Sequence, residues 1–140
     1  MELFKDKSEK YTLEVNAYLQ AYLPKKEASP QVLHEAMHYA VMNGGKRIRP
    51  LLTYASAEAL DIDPLLLTPA AAAIELLHCF SLVHDDLPAM DDDDLRRGNL
   101  SLHKAFNEGI AILAADAMQS LAFHVLANDA SLNCSSSWRQ

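Results

Sequence analysis

Apolar side chains recur every three or four residues along most of this chain and nowhere alternate singly, so the pattern predicts helix after helix. Over residues 2–23, Phe4, Tyr11, Val15, Tyr18, Leu19 and Tyr22 share a face among charged neighbours, and Pro24 with the stretch KKEASP closes the segment. Ser29 reads as an N-cap with Pro30 at the first helical position. The helix it opens carries Val32, Leu33, Ala36, Met37, Ala40 and Val41, and stops at the C-terminal glycines Gly44 and Gly45. A third helix is expected to open at Pro50 and run to Leu60. Thr68 and Pro69 cap a fourth, whose AAAAIELLHCFSLVH is apolar on most sides and therefore central. A fifth, over residues 107–128, has Ile110, Leu113, Ala114, Ala117, Leu121 and Val125 at helical spacing. The fold class is all-α, a bundle of about five antiparallel helices, without internal repeats.

Composition narrows the classes. The chain has 140 residues, half of them hydrophobic, with only 4 Gly and 6 Pro, which describes one globular domain with a real core. A net charge of −7 argues against a general binder of nucleic acid or anionic membranes. No uninterrupted apolar run reaches the roughly 18 residues of a membrane span; the longest is broken by Glu75. The start, MELFKDKSEK, alternates charges and lacks the apolar centre of a signal peptide. Cys79 and Cys134 have no metal-ligand spacing, so reduced thiols and a cytoplasmic location are expected.

Charge is concentrated in one place. HDDLPAMDDDDLRRG, residues 84–98, holds six aspartates and two arginines, −4 of the chain's −7. Asp85 and Asp86 fall at the C-terminal end of the fourth helix, where the macrodipole disfavours carboxylates unless a cation lies there. Pro88 interrupts the helix. On a continuous helix Asp91 would face away from Asp85, about 600° further round, whereas a bulge at LPAM brings it back beside Asp85. A solvated acidic loop is the plain alternative. A calcium loop lacks its glycine and distal glutamate at the required spacing. Clustered carboxylates without cysteine or paired histidines suit a hard cation, Mg²⁺ best, because it completes its shell with water and phosphate oxygens. Arg96, Arg97 and Gly98 favour the diphosphate reading, since guanidinium forks grip phosphates and serve no purpose in a bare metal site.

A second basic stretch, NGGKRIRP, places Lys46 and Arg49 three apart with Arg47 facing away. Arg49 precedes Pro50 and is expected at the N-cap of the third helix, where free N–H groups and the positive dipole end favour an anion. A basic turn between helices is the alternative.

GGKRIRP, ELLHCFSLVHDDLPAMDDDDLRRG and ILAADAMQSLAF together resemble the trans-isoprenyl diphosphate synthases, most closely the bacterial farnesyl diphosphate synthase (geranyltranstransferase) branch, over residues 33–128. The resemblance implies the N-terminal half of an isoprenoid synthase fold. It also implies Mg²⁺-dependent head-to-tail condensation of an allylic diphosphate (dimethylallyl or geranyl) with isopentenyl diphosphate to give farnesyl diphosphate, and a homodimer in the intact family member. Carried over, Asp85 and Asp91 correspond to the magnesium ligands, with Asp86 and Asp92 as supporting carboxylates. Arg96 corresponds to the arginine on the allylic diphosphate, and Arg97, Lys46, Arg49 and His78 to the isopentenyl diphosphate contacts. His78 lies seven residues, two helical turns, before Asp85 and so faces the same side; a buried structural histidine is the alternative. Phe80, beside the small Ser81, corresponds to the aromatic that floors the hydrocarbon pocket in farnesyl-making members, and an ordinary core phenylalanine is the other reading. Two departures from the family stand out: NLSLH after RRG, with Leu100 and Ser101 in place of Pro-Thr, and Ala115 where glycine is usual.

The family's second aspartate-rich motif has no counterpart in this chain. SLNCSSSWRQ loses helical periodicity, and residues 129–140 read as an atypical tail of a truncation or frameshift, beyond the synthase-like part, residues 1–128. Two function classes stand: a prenyltransferase represented by its N-terminal half and expected to be inactive alone, and a non-catalytic helical module that binds diphosphate or serves as a partner subunit.

Overall fold

The computed structural model describes residues 2–132, with side chains from residue 5 onward. Six α-helices follow one another: α1 (Glu2–Tyr22), α2 (Gln31–Met42), α3 (Ile48–Ala59), α4 (Thr68–Asp85), α5 (Leu102–Ala105) and α6 (Glu108–Asn128). A 3₁₀ turn (Pro64–Leu67) leads into α4, and two short strands, β1 (Leu95–Arg96) and β2 (Asn99–Leu100), stand between α4 and α5. The all-α expectation holds. The strands, α5 and the 3₁₀ turn were not expected from the pattern, being too short to show a period.

α4 is central. It packs most extensively on α6 and also touches α1, α2 and α3. The seam is built of small side chains: Ala71, Ala72 and Ala73 on α4 face a core shared with Ala111, Ala114, Ala115 and Ala122 on α6, all fully buried. Leu76, Cys79 and Val83 fill it from one side, Met118 and Val125 from the other. A larger residue at the alanines overpacks the seam at about 1–3 kcal/mol. From α1, Tyr11, Val15 and Leu19 complete the core, as their spacing predicts, joined by Leu23 just past the helix end. Val32 and Leu113, expected on buried stripes, are exposed, at 46% and 57%. The side chain of Phe4, Cys134 and residues 133–140 lie outside the described residues.

Helix starts are displaced from those expected, for a common reason. The first turn of a helix leaves its N–H groups without intrahelical acceptors, so proline is tolerated at any of the first positions. Pro30 is itself the N-cap of α2. α3 starts two residues before Pro50, with Arg47 as N-cap, so Arg49 lies inside the first turn and not at the cap. Thr68 is the first residue of α4; its hydroxyl donates to the Leu65 carbonyl (2.9 Å) and accepts from Tyr54 (3.2 Å). Asn107, which the sequence pattern gave only as a helix start, is the N-cap of α6, its side-chain oxygen accepting from the Ile110 N–H at 2.8 Å.

α4 with its 3₁₀ turn, and α6, are long and apolar enough to cross a membrane by length and composition alone. They pack against each other as the core pair, which buries 44% and 33% of their apolar stretches and leaves Ile74, Ile112, Leu113 and Phe123 exposed.

Candidate functional site

The C-terminal end of α4 is closed by the aspartate loop itself. Past Asp85 the Asp86 N–H donates to the Leu82 carbonyl (3.1 Å) and Leu87 to His84 (3.2 Å). The chain then turns through Pro88 until the Asp91 N–H donates to the Asp85 carbonyl at 2.8 Å and Asp92 to Leu87 at 3.1 Å. Asp92 adopts a positive φ of 53°, which completes the turn. The bulge at LPAM thus returns the Asp91 backbone to Asp85.

The six aspartates divide into two sets. Asp86, 2% exposed, receives a forked guanidinium from Arg96: Nε lies 3.0 and 3.2 Å from its two oxygens, and Nη2 also contacts Oδ1. The same Nη2 reaches Asp93 Oδ2 at 3.2 Å. Lys104 pairs with Asp94 at 2.8 Å. Charge-assisted bonds of this kind raise the Arg96 pKa, chiefly through Asp86, and lower that of Asp94 through Lys104. Among the described residues the carboxylates of Asp85, Asp91 and Asp92 have no hydrogen bond or ion pair, and no group of three or more His, Cys, Asp or Glu is arranged to hold a metal. Asp85 and Asp86, adjacent in sequence, therefore have different surroundings: Asp86 is turned inward onto Arg96, and Asp85 remains available to a ligand.

Arg96, Arg97 and Gly98 form a hairpin turn. Leu95 pairs with Leu100 and Arg96 with Asn99, leaving a two-residue loop with φ of 55° at Arg97 and 82° at Gly98. Two positive φ values match a type I′ turn, the form whose twist suits a tight hairpin. The hairpin is strapped to the end of α2. Asn99 Nδ2 donates to Asn43 Oδ1 (2.6 Å), the Tyr39 hydroxyl donates to the Leu100 carbonyl (2.9 Å), and Arg97 Nη1 donates to the Gly44 carbonyl. Gly45, at φ 112°, lies directly under that guanidinium: a Cβ there would come within 2.5 Å of Nη1. The two basic stretches of the sequence thus meet at Gly44 and Gly45. A small cavity of about 30 Å³ between α2, α4 and the hairpin is lined by Asn43, Asp86, Arg96 and Arg97.

Lys46 and Arg49 are exposed, and among the described residues neither side chain has a hydrogen-bond partner. Arg47 does face away from them, and it is buried: its guanidinium meets Glu75 Oε1 and Asn16 Oδ1, each at 2.8 Å, and the Val41 carbonyl at 2.7 Å. His78 is half-buried on α4. Desolvation lowers its pKa first, and the positive charges of Arg49, Arg97 and Arg47 push the same way while Glu75 opposes them. Neutral imidazole is therefore favoured beside three arginines. Burial raises the Cys79 thiol to about 11, leaving it protonated and unreactive. Phe80 is half-buried, its ring edge-on to His84 with centroids 4.6 Å apart. The Ser81 hydroxyl donates to the His78 carbonyl at 3.0 Å.

Four further participants, Glu75, Asn43, Tyr39 and Asp116, carry no role in the sequence analysis. Glu75 was seen only as a break in an apolar run, although a lone carboxylate on an otherwise apolar helix signals a buried partner. Asn43 and Tyr39 gave no signal, since nothing in α2 reveals a hairpin docked on it. Asp116, within ILAADAM, lies 3.6 Å from His84 Nε2, on the histidine whose ring meets Phe80.

Residues 30–138 match the family model described as polyprenyl synthetase. The chain is 48% identical over 123 residues to the farnesyl diphosphate synthase of Haemophilus influenzae, covering 88% of this chain and 42% of that one. It is equally 48% identical over 114 residues to an Arabidopsis thaliana protein, heterodimeric geranylgeranyl pyrophosphate synthase large subunit 1, covering 81% of this chain and 30% of the other. Its fold superimposes on the solved geranyltransferase of Legionella pneumophila with a TM-score of 0.91 and 46% identity, over 99% of this chain and 48% of that one. The chain thus spans less than half the length of these relatives.

Proposed function

Since the chain belongs to the polyprenyl synthetase family, we propose that it carries the first half of a site for head-to-tail condensation of an allylic diphosphate with isopentenyl diphosphate. The observation that carries this reading is the division of the aspartates. Three are paired with Arg96 or Lys104, while Asp85 and Asp91, linked by the 2.8 Å backbone bond, keep unpaired carboxylates where the helix dipole calls for a cation. Two carboxylates without a protein cage suit Mg²⁺, which takes one or two and fills its remaining positions from water and phosphate. Asp85 and Asp91 would hold it, and bound there it would act as a Lewis acid toward the departing diphosphate.

The chain's own residues do the rest. Asp86 fixes the Arg96 fork, and Arg96 beside the aspartate loop grips the allylic diphosphate. Lys46, Arg49, Arg97 and His78 grip isopentenyl diphosphate; Arg97 is seated on the Gly44 carbonyl, and the charges of Arg49 and Arg97 act on His78. Neutral His78 keeps one N–H and donates it in a hydrogen bond to an anion without becoming imidazolium. Phe80 supports a fifteen-carbon product as the floor of the hydrocarbon pocket, with Ser81 leaving room above it. Farnesyl and geranylgeranyl synthases are equally similar to the chain, so product length rests on that position. We also assign a cytoplasmic location and, in an intact synthase, a homodimer.

Linkage tests the site. Mg²⁺ and inorganic diphosphate together should raise the melting temperature by more than either alone, about 2.7 kcal/mol of stabilisation at a ligand concentration 100 times Kd. Asp85→Ala should remove the synergy. A wild-type melting temperature indifferent to the pair would refute the site. The likeness to the large subunit of a heterodimeric synthase supports a second reading, a diphosphate-binding partner subunit without chemistry. Binding with no product in a condensation assay distinguishes it.

A further inference from the structure

We propose that the buried ion pair of Arg47 and Glu75 is the positioning element of the basic loop, holding residues 44–49 so that Lys46, Arg49 and Arg97 converge on one diphosphate. The inference rests on the diphosphate reading of those three cations. Arg47 is the charged residue of this loop that points inward, 3% exposed, and Glu75 is 1% exposed. Such a pair is weak as a stabiliser, because an apolar replacement of similar volume is often as stable. Its geometry accounts for it better. One guanidinium ties together four helices: Nε to Asn16 on α1, Nη2 to the carbonyl of Val41 on α2, and Nη1 to Glu75 on α4, from a residue that is itself the N-cap of α3.

Arg47 adopts a left-handed backbone conformation, φ 49° and ψ 37°, which a non-glycine residue keeps only when its surroundings enforce it. That conformation follows Gly44 and Gly45, both at positive φ, and buries Arg47 while Lys46 and Arg49, which flank it in sequence, are exposed. Lys46 and Arg49 have no hydrogen-bond or ion-pair partner among the described residues, and Arg97 is held only by the Gly44 carbonyl of the same loop, so the aim of the cradle depends on the backbone that carries them. Glu75 lies one helical turn before His78, so the same pair also sits beneath the histidine of the cradle. The positive charge of Arg47 is matched by Glu75, leaving the exposed cations to face an anion.

The test compares the wild-type chain with the double variant Arg47→Met, Glu75→Leu. Calorimetry with inorganic diphosphate in the absence of Mg²⁺ reads the cradle, and amide hydrogen exchange reads the loop. The expected result is a folded double variant in which amides of residues 45–49 exchange faster, those of α6 are unchanged, and diphosphate affinity falls about tenfold through lost preorganisation. Should the double variant not fold, Arg47→Lys, which keeps the charge but not the three-way fork, carries the same expectation. Wild-type affinity with wild-type loop protection in the variant would overturn the inference and leave the site reading intact. A wild-type chain that binds no diphosphate would overturn the site reading and this inference with it.

Discussion

Gly45→Ala separates a contact from a conformation. Two effects act on stability. A non-glycine residue at φ 112° adopts a region that costs about 1–3 kcal/mol, offset by about 0.4–1 kcal/mol from the lower entropy of the unfolded chain. The net loss of about 1–2 kcal/mol corresponds to a fall in melting temperature of about 3–10 °C for a chain of this size. The third effect is steric. The new Cβ would stand 2.5 Å from Arg97 Nη1 and 2.6 Å from Cζ, too close to coexist, and the guanidinium is the far end of a flexible side chain, so it gives way. Arg97 then leaves the Gly44 carbonyl, and a charge-assisted contact to a bound diphosphate goes with it, about tenfold or more in affinity. Gly44→Ala is the matched control: its φ of 79° carries a comparable strain, but a Cβ there meets nothing within 4 Å. Thermal melts and calorimetry with inorganic diphosphate on both variants distinguish the effects. Similar losses of stability with a selective loss of affinity in Gly45→Ala are expected. Equal affinity losses in the two would show that the seating of Arg97 on Gly45 is immaterial.

Arg96→Gln leaves Asp86 buried without its partner and should destabilise the chain by about 2–3 kcal/mol, the lower end for a broken pair because Arg96 is a third exposed; adding Asp86→Asn should recover most of that, and no recovery in chemical denaturation would discredit the pairing. His78, whose pKa is lowered by burial and by Arg49, binds its proton more readily unfolded. Its contribution to stability is therefore complete above about pH 6.5, the unfolded value, and is lost as the pH falls through the lower folded value. His78→Asn should flatten that part of the pH–stability curve, and an unchanged slope rejects the assignment. Phe80→Ala, placed in a full-length relative carrying this half, should move products beyond fifteen carbons by chromatography of the dephosphorylated alcohols, an unaltered distribution counting against the floor role. The purified 140-residue chain should bind Mg²⁺ and diphosphate yet condense substrates at least 10²-fold more slowly than a full-length synthase, since even one missing preorganised charge contact typically costs about 10²–10³; a rate near that of the synthase, abolished by Asp85→Ala, would refute this.

What was legible in the sequence followed from period and from misplaced charge. The stripes of α1 and, Val32 apart, of α2 need only local information. The return of Asp91 to Asp85 was readable because Pro88 forbids a continued helix and carboxylates at a helix C-terminus demand a reason to be there. The hairpin was not, because strands of two residues are too short to alternate and its turn depends on φ values that Arg97 shares with no sequence rule. Arg47 was seen to face away from Lys46 and Arg49, but a charge within a basic run reads as solvated, and only Glu75 on a helix 28 positions later reveals that it is buried. The different fates of Asp85 and Asp86 depend likewise on Arg96 arriving from another element.

The two-residue turn at Arg97 and Gly98 makes this surface loop a place where length cannot drift. Connections between secondary structures usually absorb insertions and deletions freely. Here a single inserted residue shifts the pairing of Leu95 with Leu100 and Arg96 with Asn99 by one, and a one-residue slip turns every side chain to the opposite face. Arg96 would swing off Asp86, exposing a buried carboxylate, while Asn99 would lose Asn43 and the whole strap on α2. Homologous chains should vary in residue type around this hairpin far more readily than in its number of residues, and engineered insertions that serve well in other loops should fail at this one.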